Sequence, residues 1–157
     1  MEMLSKEKND DYIYVFDNLR ASDVDAIKLN RGENWKETLI EQFKDADLRV
    51  GYTNDGKPVL VYGVLEEGSI GVIWMLTTDD IVKEQRSFIV GAKEYVQEQV
   101  DKYKLICNYV LKADKRAIKW LKSLGFLFLE DPNRTDFLFF YKGDLQCALP
   151  AQEKGGK

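Results

Sequence analysis

Two apolar runs with one long amphipathic segment between them constrain the fold of this chain more than any other feature. Residues 70–77 (IGVIWMLT) and 105–111 (LICNYVL) read as strands buried inside a sheet, the first apolar on both faces. Between them the period turns helical. Ile81, Gln85, Phe88, Ala92, Val96, Val100 and Tyr103 trace one face of a helix over Asp80–Tyr103. Buried strands flanking a helix predict a parallel pair joined by a right-handed crossover. Ile70–Thr77 and Lys104–Leu111 should therefore be neighbours in one sheet. A chain of 157 residues has room for one domain. The expectation is a single domain over 12–145, between a flexible start (1–11) and a flexible polar tail (146–157).

The remaining segments extend this pattern. Tyr12–Phe16 (YIYVF) is aromatic and β-branched and predicts a strand. Ser22 with Asp25 makes a capping box ahead of Val24, Ala26, Ile27 and Leu29, and so predicts a short helix. Asn34 with Glu37 repeats that signal before Trp35, Leu39 and Phe43, which recur at helical spacing. Leu48–Thr53 and Pro58–Leu65 are strand candidates, closed by the turns Asn54-Asp55-Gly56 and Glu66-Glu67-Gly68-Ser69. Asp114 should cap a helix ending at Leu124, with Gly125 as its C′ residue, and Phe126–Leu129 and Asp136–Tyr141 are aromatic strands. The order β-α-α-β-β-β-α-β-α-β-β predicts an α/β fold with a mixed sheet and helices packed on it.

Composition narrows the chemistry. There is no histidine, which removes imidazole bases, His-based triads and HExxH metal sites, and the two cysteines, Cys107 and Cys147, are far apart. No metal site is expected, and no disulfide framework, which fits a reducing compartment. A net charge of −4 argues against general nucleic-acid binding. With 45% hydrophobic and 32% charged residues the chain is of globular type. No apolar stretch approaches the ~20 residues of a membrane span, and the charged start shows no secretory signal.

The element order, with ADKRAIKWLKSLGF at 113–126, resembles the GNAT N-acetyltransferase superfamily. The residues that carry the likeness are Asp114 opening the late helix, the pair Ala117-Ile118, and Gly125-Phe126 closing it. Within that superfamily, IWMLTTDDI (73–81) and NYVLKADKRAIKWLKSLGFLF (108–128) are most similar to the small acetyltransferase-like internal virion proteins of short-tailed lytic phages. The resemblance implies a GNAT-like acyl-CoA N-acyltransferase fold with acetyl-CoA as the possible cofactor. It implies a place in the host cytoplasm or the virion interior, and a capsid or host protein as partner.

By that resemblance the cofactor would lie along Leu76 and Thr77 and at the following helix start (Gln85, Arg86, Ser87), where Gln85 or Arg86 matches the opening of the phosphate loop and Ser87 stands at the first position where a glycine is wanted. The loop glycines are missing: Phe88, Ile89 and Val90 follow instead, and Asp79 and Asp80 bring negative charge where phosphate should sit. Tight acetyl-CoA binding is therefore not expected. The family's usual acid, a Tyr four residues before the late Gly, is replaced by Leu121, leaving Tyr109 and Tyr141 as substitutes or as ordinary sheet aromatics. Its usual base corresponds to Glu66 or Glu67, which also read as a solvated hairpin turn. Lys115, Arg116, Lys119 and Lys122 make the late helix strongly basic, either as a docking strip for an acidic partner or as solvated surface. The leading expectation is a phage internal-virion, assembly or host-interaction protein with a degenerate acyltransferase site. The alternatives are an active acetyl-CoA-dependent N-acetyltransferase acting on a host or phage protein, and a small host-directed inhibitor.

Overall fold

The computed structural model describes residues 2–4, 9–43 and 48–148, which fall into two compact units. The first comprises Met1–Leu65 and Ile73–Gly91, the second Glu66–Val72 and Ala92–Lys157.

In the first unit the strand order is β1 (Glu2–Leu4), β2 (Leu48–Tyr52), β3 (Pro58–Glu67) and β4 (Ile70–Thr77), the last two reaching into the second unit at their shared hairpin. β1 and β2 are antiparallel, as are β2 and β3. Three helices accompany them: α1 (Asn9–Asp17), α2 (Ala21–Arg31) and α3 (Trp35–Phe43). Their apolar positions recur at helical spacing, so Val15, Phe16, Ile27, Trp35, Leu39 and Phe43 form one core with Leu48, Val50, Tyr52, Val61 and Leu76 of the strands.

Three expectations are corrected here. Tyr12–Phe16 is helix, not strand, because Tyr12, Val15 and Phe16 fall on one face at i, i+3, i+4 and pack into that core while Ile13 points outward. Helical periodicity outweighs the strand propensity of YIYVF. A short strand, β1, and the first residues of α1 occupy the stretch expected to be a flexible start. The Ser22–Asp25 box does not cap α2, which begins at Ala21 after Arg20, and Arg20 makes no side-chain cap.

The second unit has the strand order β4, β5 (Leu105–Leu111), β7 (Phe137–Gly143), β6 (Leu127–Glu130). The parallel pair expected from sequence is present, with Gly71 opposite Ile106 and Val72 opposite Cys107. The crossover differs from a single helix over Asp80–Tyr103. A 3-10 turn, Asp79–Glu84, precedes α4 (Gln85–Tyr103). β5, β7 and β6 pair antiparallel.

The helix α5 (Lys115–Ser123) starts and ends as the sequence predicts. The Asp114 carboxylate accepts the Ala117 N–H at 3.1 Å. At the other end Gly125 adopts φ +92°, its N–H reaches the Lys122 carbonyl, and the Phe126 N–H reaches that of Leu121. This is a Schellman closure, and it delivers the Phe126 ring edge-on to Phe140 at 5.1 Å. A 3-10 turn over Leu145–Ala148 follows β7, and the rest of the expected tail, Leu149–Lys157, lies outside the described residues.

Candidate functional site

Thr77 ends β4 and Thr78 follows it, and both are buried. The Thr78 N–H donates to the Val59 carbonyl of β3 at 3.0 Å. Main-chain groups alternate along a strand, so the N–H and C=O of Thr77 point away from β3. In a free strand edge those two groups would be open to a ligand. Here both are taken by the chain itself. The Arg20 N–H donates to the Thr77 carbonyl at 3.0 Å, and the Thr77 N–H donates to Asp23 Oδ2 at 3.1 Å. Asp23 Oδ1 in turn holds Arg20 Nη2 at 2.9 Å, and the two side chains are only 12% and 10% exposed. Leu19 completes the strap with an antiparallel bridge to Thr78.

The turn that follows is acidic and internally bonded. The Asp80 N–H donates to Thr78 Oγ1 at 3.3 Å, and the Asp80 carboxylate is paired with Lys57 Nζ at 2.9 Å. A phosphate needs open N–H groups at a helix start and a positive field. Asp79 and Asp80 oppose that field, and the 3-10 turn precedes α4. Of the expected cofactor residues, Leu76 and Thr77 are buried in the first unit, Leu76 in its core. Gln85, Arg86 and Ser87 open α4 in the same unit, but their side chains lie outside the described residues. The residues present around Thr77 do not fit acetyl-CoA bound along the β4 edge.

Glu66 and Glu67 belong to the second unit, exposed at the end of β3 beside the turn at Gly68 and Ser69. Glu67 acts electrostatically on the buried Cys107. Burial, reinforced by the Glu67 charge, pushes that thiol up to about 11, so it stays protonated and inert at neutral pH. Tyr109 is also committed. Its hydroxyl donates to Asp131 Oδ2 at 2.8 Å, and the Arg134 guanidinium lies 4.0 Å above its ring. Burial, and then the Asp131 carboxylate, raise its pKa. The Asn133 N–H, helped by the Tyr109 hydroxyl, holds Asp131 below the usual carboxylate range. The group thus fastens the 131–134 turn to β5. Tyr141 stacks on Phe139 at 6.0 Å within the sheet.

Lys115, Arg116, Lys119 and Lys122 are all exposed on α5, whose buried face is Trp120 and Leu121. The structure therefore gathers these four on one element. It sets Leu76 and Thr77 in one unit and Glu66 and Glu67 in the other. Sequence reading missed Arg20 and Asp23, because their partner Thr77 is 54 residues from Asp23 and nothing local announces it. Among the described residues no group of three potential metal ligands occurs, and no helix is long and apolar enough to cross a membrane.

The family model described as "Bacteriophage T7, probable scaffold protein Gp13" matches residues 54–132. No curated protein sequence matches the chain significantly. Among solved structures, spermidine N-acetyltransferase from Vibrio cholerae in complex with CoA and spermine is similar at 12% identity, covering 90% of this chain and 94% of that one, with a TM-score of 0.63. Aminoglycoside 6'-acetyltransferase type Ii is similar at 14% identity over 91% and 97%, TM-score 0.62. A Bacillus subtilis acetyltransferase in complex with CoA is similar at 8% identity over 69% and 84%, TM-score 0.56. At such identities the likeness is one of fold, and the fold is that of the GNAT acetyltransferases.

Proposed function

The chain belongs to the family described as Bacteriophage T7, probable scaffold protein Gp13, and on that premise we propose that it acts by protein contact, on an acyltransferase fold whose cofactor site is degenerate. The observation that carries this reading is the state of Thr77. Both of its outward main-chain groups are bonded to Arg20 and Asp23. Opening that edge to a ligand would leave a nearly buried carboxylate and guanidinium to be resolvated or re-paired, a cost on the order of several kcal/mol. Asp79 in the turn adds repulsion toward a pyrophosphate, while Asp80 is paired with Lys57.

The role is that of an internal-virion, assembly or host-interaction protein, located in the host cytoplasm or the virion interior. Its partner is a capsid or host component. The basic strip of Lys115, Arg116, Lys119 and Lys122 is the docking surface, and it selects an acidic protein face.

Calorimetric titration with acetyl-CoA tests the reading. The expected result is no saturation in the micromolar range. A dissociation constant near 1 μM or tighter, about −8 kcal/mol, would overturn it. The resemblance in fold to structures solved with CoA favours the active acetyltransferase as the second reading. That enzyme would have no histidine, so Glu66 and Glu67 would supply its base. The double change Glu66→Gln with Glu67→Gln should then lower turnover about 10²–10⁴-fold.

A further inference from the structure

We propose that the acidic face on which α5 docks is carried by a second copy of this chain, along α3. The inference rests on the reading of α5 as a docking surface and adds a second copy of the chain to the capsid or host component proposed there.

The chain is −4 overall although α5 alone carries +4, so the remainder carries −8. Glu37 and Glu41 lie one turn apart on α3, and Glu33 stands one further four-residue step before them. All three are exposed. Lys36, the cation nearest this row on the same helix, is engaged with Asp17 at 2.8 Å. On α5, Lys115 and Lys119 are likewise one turn apart, with Lys122 three residues on and Arg116 beside them. Residues at such steps stand ~5–6 Å apart on a helix surface, so Glu37 and Glu41 match Lys115 and Lys119 in spacing and oppose them in sign, and Glu33, in the turn before α3, adds to the acidic side. Among the described residues none of these seven side chains has an ion-pair partner. Each row repels itself where it stands, and one row laid along the other relieves both.

The two rows are different surfaces, so the contact is heterologous. Each copy that docks its α5 still presents its own α3 row. Such a contact repeats, closing into a ring or running on as a filament. Exposed ion pairs are individually weak and screened by salt, so the association is weak, concentration-dependent and lost at high ionic strength.

Sedimentation velocity on the full chain tests this. At about 20 mM salt the weight-average sedimentation coefficient should climb with concentration, and at about 0.5 M it should fall back to the monomer value. The charge-reversed variants K115E/K119E/K122E and E33K/E37K/E41K should each remain monomeric at low salt. An equimolar mixture of the two should associate again, because each supplies the complement the other lacks. The neutral variant K115Q/R116Q/K119Q/K122Q should also stay monomeric, with its circular dichroism unchanged. Monomeric wild type at every concentration, or a mixture that fails to associate, overturns the proposal. If that failure comes with α5-dependent capture of a different protein from infected-cell extract, the second copy is excluded but α5 remains a docking surface. If capture is also indifferent to α5, both readings fall.

Discussion

Asp23 shows how one side chain can close a strand edge. Its carboxylate takes the Thr77 N–H with one oxygen and the Arg20 guanidinium with the other, inside a nearly buried environment. Removing it leaves both partners poorly satisfied. Asp23→Ala is expected to cost about 3–5 kcal/mol in denaturant unfolding, the range for breaking a buried pair from one side. A loss below ~1 kcal/mol would show the strap to be incidental. The Thr77 hydroxyl presents the opposite case. Oγ1 is buried with no hydrogen-bond partner among the described residues. Thr77→Val keeps the shape and deletes the unsatisfied oxygen, so stability should hold or rise by up to about 1 kcal/mol. Cys107 gives a chemical readout of burial. Its thiol is raised to about 11, above the ordinary value, so the protonated form dominates in the native state until strongly alkaline pH. In a Cys147→Ser variant, alkylation at pH 8 should be slow when folded and rapid in denaturant, where the thiol ionises near its ordinary pKa of about 8.5. The burial of Cys107 was readable from its apolar run, whereas the partners of Asp23 and the unmet hydroxyl of Thr77 were not. Those two owe their environment to elements distant along the chain.

At the level of elements, legibility follows how local the deciding interaction is. The limits of α5 were readable because Asp114 bonds Ala117 and Gly125 closes the last turn, all within a dozen residues. The pairing of β4 with β5 was readable because both runs are apolar enough to demand burial. α1 was misread because YIYVF favours a strand by propensity, and only the core shows that Val15 and Phe16 share a helical face. Gly143 is more constrained than Gly125, although nothing local in the sequence marks it. It has φ +114°, and an added Cβ would fall 2.2 Å from the Lys104 carbonyl oxygen, a fixed backbone atom. At Gly125 the corresponding nearest atom is the flexible end of Lys142, at 3.1 Å. Gly125→Ala should therefore cost about 1–2 kcal/mol, the price of left-handed backbone alone. Gly143→Ala should cost clearly more, because the start of β5 must shift to admit it. Thermal unfolding of the two variants decides the order, and equal losses would contradict the clash.

For the whole molecule, fold and function part company. A GNAT fold does not by itself fix function, and the proposed degenerate cofactor site rests on the Thr77 edge and the acidic turn. The order of elements was largely visible in the sequence, as were the missing glycines. The closure of the β4 edge was not, since it is made by Arg20 and Asp23 from a helix that the sequence marks only as helix. The basic strip offers the last test, because stability and function should respond to it in opposite directions. Lys115 and Arg116 lie in the first turn of α5, which has no acidic residue, so both oppose the helix dipole. Lys115 and Lys119 repel each other at i, i+4, as Lys119 and Lys122 do at i, i+3, each pair costing about 0.2–0.5 kcal/mol. Neutralising the strip with Lys115→Gln, Arg116→Gln and Lys119→Gln removes unfavourable terms and buries nothing new. The melting temperature should stay level or rise slightly, and the free-energy change should remain within about 0.5–1 kcal/mol. The same variant should lose association with acidic partners at low salt, where exposed charges act furthest. A strip retained for stability would give the reverse result, a lower melting temperature with partner binding intact.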